Sequence, residues 1–162
     1  MSEPKPPQAS RIETTHLVMP PDANAHGTAF GGIVMQWIDV AASMAAMRHA
    51  RLPVVTASVD QLNFLAPLKI GDMAILFARV NATFGSSLEV EVEVLSEDPR
   101  SGARRRCCDA FVTIVALGPG GRPTRVPDLL CQTDEEKSRA DGARARREAR
   151  LAKRGKEGTI TP

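Results

Sequence analysis

"FGGIVMQWIDVAASMAAMRH", Phe30 to His49, is the stretch that decides the architecture. Phe30, Ile33, Val34, Trp37, Ile38, Ala41, Met44 and Ala45 recur at spacings of three and four, an apolar stripe of helical period that predicts one long helix. Pro53 forces the chain out of helix, and Arg48, His49 and Arg51 stand near the helix C-terminus, where cations are favoured. Asp39 interrupts the helix with a carboxylate on the side that also carries Met35, Ala42 and Ala46, none of which offers it a cationic partner one turn away.

Working outward, everything after Pro53 reads as strand. Val54 to Leu65 ends at Pro67, Asp72 to Phe84 ends at Gly85, and Ala103 to Gly118 is closed by "GPGG". Between them Ser86 to Asp98 alternates, which points Leu88, Val90, Val92 and Val94 inward and turns three glutamates toward water. Glu13 to Met19 predicts a short strand before a loop rich in Pro, Asp, Asn and Gly. One helix followed by four strands on short turns specifies an α+β class with an antiparallel meander that buries the helix stripe. A sheet of this size wraps around one long central helix, the hotdog arrangement, although periodicity alone equally allows another helix-on-sheet packing.

With 162 residues, 43% of them hydrophobic, the chain suits one domain with a sizeable core. We expect a disordered arm over residues 1–10, the folded domain over 11–127, and a charged, disordered tail over 128–162. Nine of the 21 Lys and Arg fall between Lys137 and Lys156, so the net charge of +2 says little about partners. The tail lacks aromatic residues for base stacking, which argues against nucleic acid. No stretch approaches the roughly 20 apolar residues of a membrane span, and "MSEPKPPQAS" has no apolar signal core, so the cytoplasm is the expected location. Cys107 and Cys108, adjacent in a strand and read as pointing to opposite faces, together with Cys131, read as packing thiols. No metal-site spacing is present.

Two features carry chemistry. Asp39 is either desolvated at an interface or poised as a general base. Gly31 and Gly32 open the helix, where unshielded backbone N–H groups can stabilise a developing oxyanion. Asp39 lies eight residues past Gly31, roughly 12 Å along the axis at ~1.5 Å per residue, so one helix cannot bring both to one carbonyl. Two protomers with antiparallel helices across a two-fold axis can. The glycines fit neither a dinucleotide fingerprint nor a phosphate loop.

"PPDANAHGTAFGG", "MQWIDVAA" and "VVTASVDQLNFLAPLKIGD", in this order and spacing, resemble the hotdog-fold acyl-CoA thioesterases of the cytosolic acyl-CoA hydrolase type, over roughly Thr15 to Pro127. The resemblance implies acyl-CoA hydrolysis to fatty acid and CoA without a separate cofactor. Asp39 would be the residue that attacks the thioester or activates water, Asn24 would position water or substrate, and the glycine turn, Gly32 in particular, would polarise the carbonyl. It also implies substrate contacts from Gly31, from Thr56, Ser58 and Val59, and from the Gly85, Ser86 and Ser87 turn. His26 and Phe30, in the same loop, are also expected among the substrate-binding residues, and many relatives carry His where Phe30 stands. The segment "PRSGARRR" offers Arg104 to the phosphates of the coenzyme. The family commonly stacks homodimers into trimers of dimers. The rival readings are a hotdog hydratase or dehydratase, for which only His26 is well placed, and a non-catalytic acyl-CoA sensor.

Overall fold

In the computed structural model, residues 3–157 are described. Strand β1 (Ile12–Leu17) is followed by helix α1 (Gly31–Ala50), strands β2 (Val54–Phe64), β3 (Met73–Phe84), β4 (Ser87–Glu97) and β5 (Arg104–Ala116), and a second helix, α2 (Asp134–Glu157). Helix α1 covers the predicted stretch to within a residue at each end. It stops because Arg51 adopts a left-handed conformation (φ 57°) and returns its N–H to Met47 O at 2.8 Å, two residues before Pro53. Its buried side is Val34, Ile38, Ala41, Ala42, Ala45, Ala46 and His49. The four alanines let α1 lie close against Leu88, Val90, Val92 and Val94 of β4, all fully buried as the alternation predicts.

The sheet has the order β1-β3-β4-β5-β2, antiparallel throughout. Only β3, β4 and β5 form the expected meander. β2 lies at the far edge beside β5, so residues 65–72 cross the end of the sheet to reach β3. That crossover takes Leu65 N–H to Cys107 O (2.8 Å) and presents Leu68 O to Ala29 N–H (2.7 Å), fastening the loop before α1 to the sheet. The hotdog arrangement is the one this chain adopts.

The second face of the sheet is not wet. Glu89 and Glu91 of β4 are 2% and 6% exposed, covered by α2, which makes residues 134–157 helical where a disordered tail was expected. Arg146 grips Glu89 through two bonds (2.7 and 3.0 Å), Arg139 binds Glu91 at 2.6 Å, and Arg150 binds Asp60. Ala140 and Ala143 pack on Ala82, Phe84 and Cys131, and Arg146 stacks over the Phe111 ring at 3.6 Å. The helix starts on a capping box: Thr133 Oγ1 accepts the Glu136 N–H (3.2 Å), and Glu136 Oε2 accepts the Thr133 N–H (3.1 Å). Residues 158–162 of the expected tail lie outside the described residues.

The N-terminal arm is likewise placed from residue 3 onward. Lys5 bridges to Leu129 by backbone bonds and donates its ammonium to His49 O at 2.7 Å, while Ser10 is fully buried. His49 is the pin of this corner. Its Nε2 lies 2.9 Å from Pro127 O and its Nδ1 3.4 Å from the Ser10 hydroxyl, and burial pushes its pKa below the usual histidine value.

Candidate active site

Asp39 sits two turns into α1 on the side facing away from the sheet's interior. The Thr56 hydroxyl of β2 donates to its Oδ1 at 2.6 Å, a short charge-assisted bond that orients the carboxylate. Both residues are exposed in the single chain, and their surroundings are apolar. Met35, Val40 and Met47 of α1 and Val59 of β2 are each 42–49% exposed. β2 is also an edge strand with an unpaired side. The carboxylate is thus set in an exposed apolar surface next to an unpaired sheet edge.

Gly31 and Gly32 form the first turn of α1, and among the described residues no side chain caps them. Their amides are thus left for an outside acceptor, with the positive end of the helix dipole behind them. Two rings flank the turn. Phe30 lies so close over Gly32 that a Cβ there would stand 2.7 Å from its Cε1, and the Phe64 ring would be 3.5 Å from a Cβ on Gly31. The absence of side chains keeps the amides open between these rings. Because α1 is continuous from Gly31 past Asp39, the roughly 12 Å rise between them holds, and one chain does not bring acid and amides to the same atom.

Asn24 shapes the loop that leads into the glycines. Its Oδ1 accepts the N–H groups of His26 (2.9 Å) and Thr28 (3.3 Å), and its Nδ2 donates to Thr28 Oγ1 (3.1 Å). In the single chain this amide is occupied in holding its own turn. His26 is exposed, and no acid orients its ring among the described residues.

Other expected contacts are scattered. A bulge between Thr56 and Ser58 changes the alternation of β2, so the Ser58 hydroxyl binds Asp60 Oδ1 (3.0 Å) in the group that Thr113 and Arg150 complete beneath α2. Ser58 therefore belongs to the opposite face from Asp39. Val59 remains exposed on the β2 edge. The Gly85 turn (φ 70°) is tied through Gly85 O to Val126 N–H and through Ser86 O to Ala116 N–H, both 2.9 Å, and Ser87 lies in the same row of the sheet as Val55. Arg104 stands at the other end of β4 and β5, paired with Glu97 at 2.5 Å. Ten residues of β4 separate it from Ser87, roughly 33 Å at ~3.3 Å per residue, so Arg104 and the serine turn of one chain do not share a ligand phosphate.

The sequence reading missed a cavity of about 410 Å³ beside Gly31, whose wall includes Thr28, Phe64, Leu65, Cys107 and Cys108. The adjacent thiols do not point to opposite faces. A register shift leaves Cys107 without a partner on β4, and both cysteines face the cavity and the core around α1. Burial, with the Asp109 carboxylate nearby, pushes the Cys108 thiol up to about 12. Consecutive cysteines within a strand pattern were the available signal, but a bulge is not visible in periodicity.

Comparison with known proteins fits this geometry. Residues 26–103 match the family described as the thioesterase superfamily. An uncharacterized acyl-CoA thioester hydrolase of Bacillus subtilis is 41% identical over 127 residues, 78% of this chain and 74% of that one. The human cytosolic acyl coenzyme A thioester hydrolase is 36% identical over 155 residues, 94% of this chain, which spans 40% of the human protein's length. The acyl-CoA hydrolase of Staphylococcus aureus, solved with butyryl coenzyme A, superposes with a TM-score of 0.88 at 36% identity, covering 96% of this chain and 95% of that one. The same enzyme has been solved with an asparagine, an aspartate or a threonine changed to alanine, at positions separated along the chain as Asn24, Asp39 and Thr56 are. An apo hexameric acyl-CoA thioesterase superposes with a TM-score of 0.87 at 39% identity, over 98% of this chain and 99% of that one. With a helix cradled by a five-stranded antiparallel sheet, an acid on that helix and bare glycines at its start, the chain belongs to the hotdog-fold acyl-CoA thioesterases.

Proposed function

We propose that this thioester hydrolase cleaves acyl-CoA to a free carboxylic acid and CoA, at sites completed by two copies of the chain. The observation that carries this reading is the Thr56 to Asp39 bond of 2.6 Å, which fixes a carboxylate in an exposed apolar surface where no fold requirement calls for one. Asp39 of one subunit acts as base or nucleophile. The amides of Gly31 and Gly32 at the start of the other subunit's α1 receive the thioester oxygen as charge develops on it. The step needs only a positioned water or carboxylate and an oxyanion site, because the thioester carbonyl is already electrophilic. No metal or organic cofactor enters this chemistry, coenzyme A being part of the substrate.

Packing of α1 and the β2 edge against a second copy covers Met35, Val40, Met47 and Val59, and an antiparallel arrangement brings Asp39 toward the partner's glycine turn. Asn24 then positions water or substrate from the loop beside that turn. Phosphate contacts from the Gly85 to Ser87 turn and from Arg104 would come from different subunits, given their separation within one chain. The hexameric relative supports stacking of such dimers in threes. The spacing of the three substituted residues in the Staphylococcus aureus enzyme supports the choice of Asn24, Asp39 and Thr56.

Release of free thiol from acyl-CoA by the wild type and by Asp39→Asn tests the proposal. Loss of a base contributes on the order of 10²- to 10⁴-fold, so the variant should lose most turnover while keeping its far-ultraviolet dichroism. Equal turnover would remove the acid from the mechanism.

A further inference from the structure

We propose that Arg150 of α2 is a positioning residue for the hydrolytic step: by holding Asp60 on the outer face of the sheet, it fixes the irregular edge strand that turns Thr56 toward Asp39 on the inner face. The role rests on the thioesterase reading, because Thr56 matters only if Asp39 is the reacting acid. Strand β2 shifts register against β5 twice, between Thr56 and Ser58 and between Val59 and Gln61, which leaves Ala57 and Asp60 as extra residues without partners in the ladder. Each extra residue inverts the alternation of the strand beyond it. With both in place, Thr56 lies opposite the fully buried Ile114, on the side of α1. If Asp60 were drawn into the ladder opposite Val112, Thr56 would move along by one place to Val115, and its hydroxyl would point to the outer face, away from Asp39.

What keeps Asp60 out of the ladder is chemistry on that outer face. Its Oδ1 accepts the Ser58 hydroxyl at 3.0 Å, and its Oδ2 accepts the Thr113 hydroxyl at 3.0 Å together with Arg150 Nη1. The same Nη1 donates to Thr113 Oγ1 at 2.8 Å, so α2, β5 and the bulge are closed into one ring of bonds. The Asp60 side chain is 9% exposed, and among the described residues Arg150 is its one cationic partner. A buried carboxylate stripped of its cation is costly, so without Arg150 the acid gains by turning to water and the bulge relaxes. Because β2 is an edge strand, nothing on its other side in the single chain holds the register in its place. Ser58, expected to meet the substrate, is a member of this anchor. Arg139 supplies the contrast: it docks the other end of α2 on Glu91, which keeps Arg79 when Arg139 is lost, and it makes no bond to β2.

Thiol release from butanoyl-CoA by Arg150→Met, Arg150→Lys, Asp60→Asn and Arg139→Ala tests the role, with thermal unfolding confirming that each variant is folded. Arg150→Met and, independently, Asp60→Asn should lower kcat by about five- to tenfold, approaching the loss for deleting the Thr56 bond itself, while KM stays within about twofold. Arg150 meets Asp60 through a single nitrogen, so Arg150→Lys should recover most of kcat. Arg139→Ala should keep kcat within about twofold of wild type. The double variant Thr56→Val with Arg150→Met should lose no more than Thr56→Val alone, since both act through one hydroxyl. Losses that multiply overturn the proposal. So does wild-type kcat in folded Arg150→Met, and so does an equal loss in Arg139→Ala, which would reduce Arg150 to helix docking. Hydrogen exchange reads the strand apart from turnover: Arg150→Met should speed exchange of the amides of residues 54–61, and Arg139→Ala should not. Unchanged protection in Arg150→Met defeats the anchor, whereas absence of hydrolysis by the wild type defeats the thioesterase reading alone.

Discussion

Replacing Thr56 with valine keeps the shape and the β-branching of the strand residue but deletes the hydroxyl that donates to Asp39 Oδ1 at 2.6 Å. Hydrogen bonds to charged groups contribute about 1.5–3 kcal/mol, which corresponds to roughly 10- to 150-fold in rate if the bond is needed in the transition state. Both partners are solvent-exposed in the single chain, and water can replace part of the lost bond, so the lower end applies. We therefore expect kcat to fall about tenfold. KM should stay within about twofold, because the hydroxyl orients the acid rather than the substrate. Thr56→Ser, which restores the donor, should recover most of kcat. Initial-rate measurement of thiol release over a range of acyl-CoA concentrations separates the two parameters. A folded Thr56→Val enzyme with wild-type kcat would refute the positioning role, and a raised KM at unchanged kcat would move Thr56 into substrate binding.

Arg146→Ala leaves Glu89 buried without a cation, with only the Asn81 amide at 3.4 Å as a donor, unless α2 lifts away, so the cost should be about 3 kcal/mol, at the low end for breaking a buried pair because undocking offers an escape. The thermal midpoint should fall by roughly 6–12 °C, and an unchanged midpoint would show that α2 contributes nothing through this pair. Burial holds His49 below the ordinary histidine pKa, so the unfolded chain binds the proton more readily. Stability should accordingly decline as pH falls through about 6.5. Chemical denaturation at several pH values should show that decline weakened in His49→Gln, and identical profiles would count against it. Cys108, its thiol pushed up to about 12 and 1% exposed, should resist iodoacetamide at pH 8 in the folded protein and react on unfolding. Labelling of the native state at that position, read by mass spectrometry, would contradict its burial.

The fold was largely legible because two periods are unambiguous. Phe30 to His49 repeats at three and four, and Leu88 to Val94 repeats at two, with boundaries that depend on single punctuating residues such as Pro53 and Gly85. What periodicity cannot carry is the order of strands. β2 is as apolar in pattern as its successors, yet it pairs with β5 rather than with β3, a choice made by tertiary packing. The glutamates of β4 were read as a wet face because the sequence does not say what covers them. The answer lay in α2, whose Thr133-Asp-Glu-Glu136 opening is a capping box and whose Arg139, Arg146 and Arg150 match buried acids. An Arg-rich segment with a single large apolar residue, Leu151, looks solvated until its partners are known. At the site, Asp39 and the glycines stand out by residue type and spacing, whereas Thr56 enters only through the family resemblance. Ser58 was not separable from Thr56, since a one-residue bulge moved it to the other face, and the same kind of irregularity hid the paired thiols of the cavity.

Shared sites are the central claim, and mixing two inactive variants tests it directly. Asp39→Asn removes the acid, and Gly31→Pro removes an amide at the first helical position, where proline is tolerated after the extended Phe30 and an added Cβ meets the Phe64 ring at an ordinary 3.5 Å. In random mixed dimers, half of the particles carry both variants, and each of those has one site with an intact acid facing an intact glycine turn. Co-refolded equal amounts should recover about a quarter of wild-type thiol release if the acid and the amides come from different subunits. Activity that stays at the level of the two parents would contradict a site built across the interface.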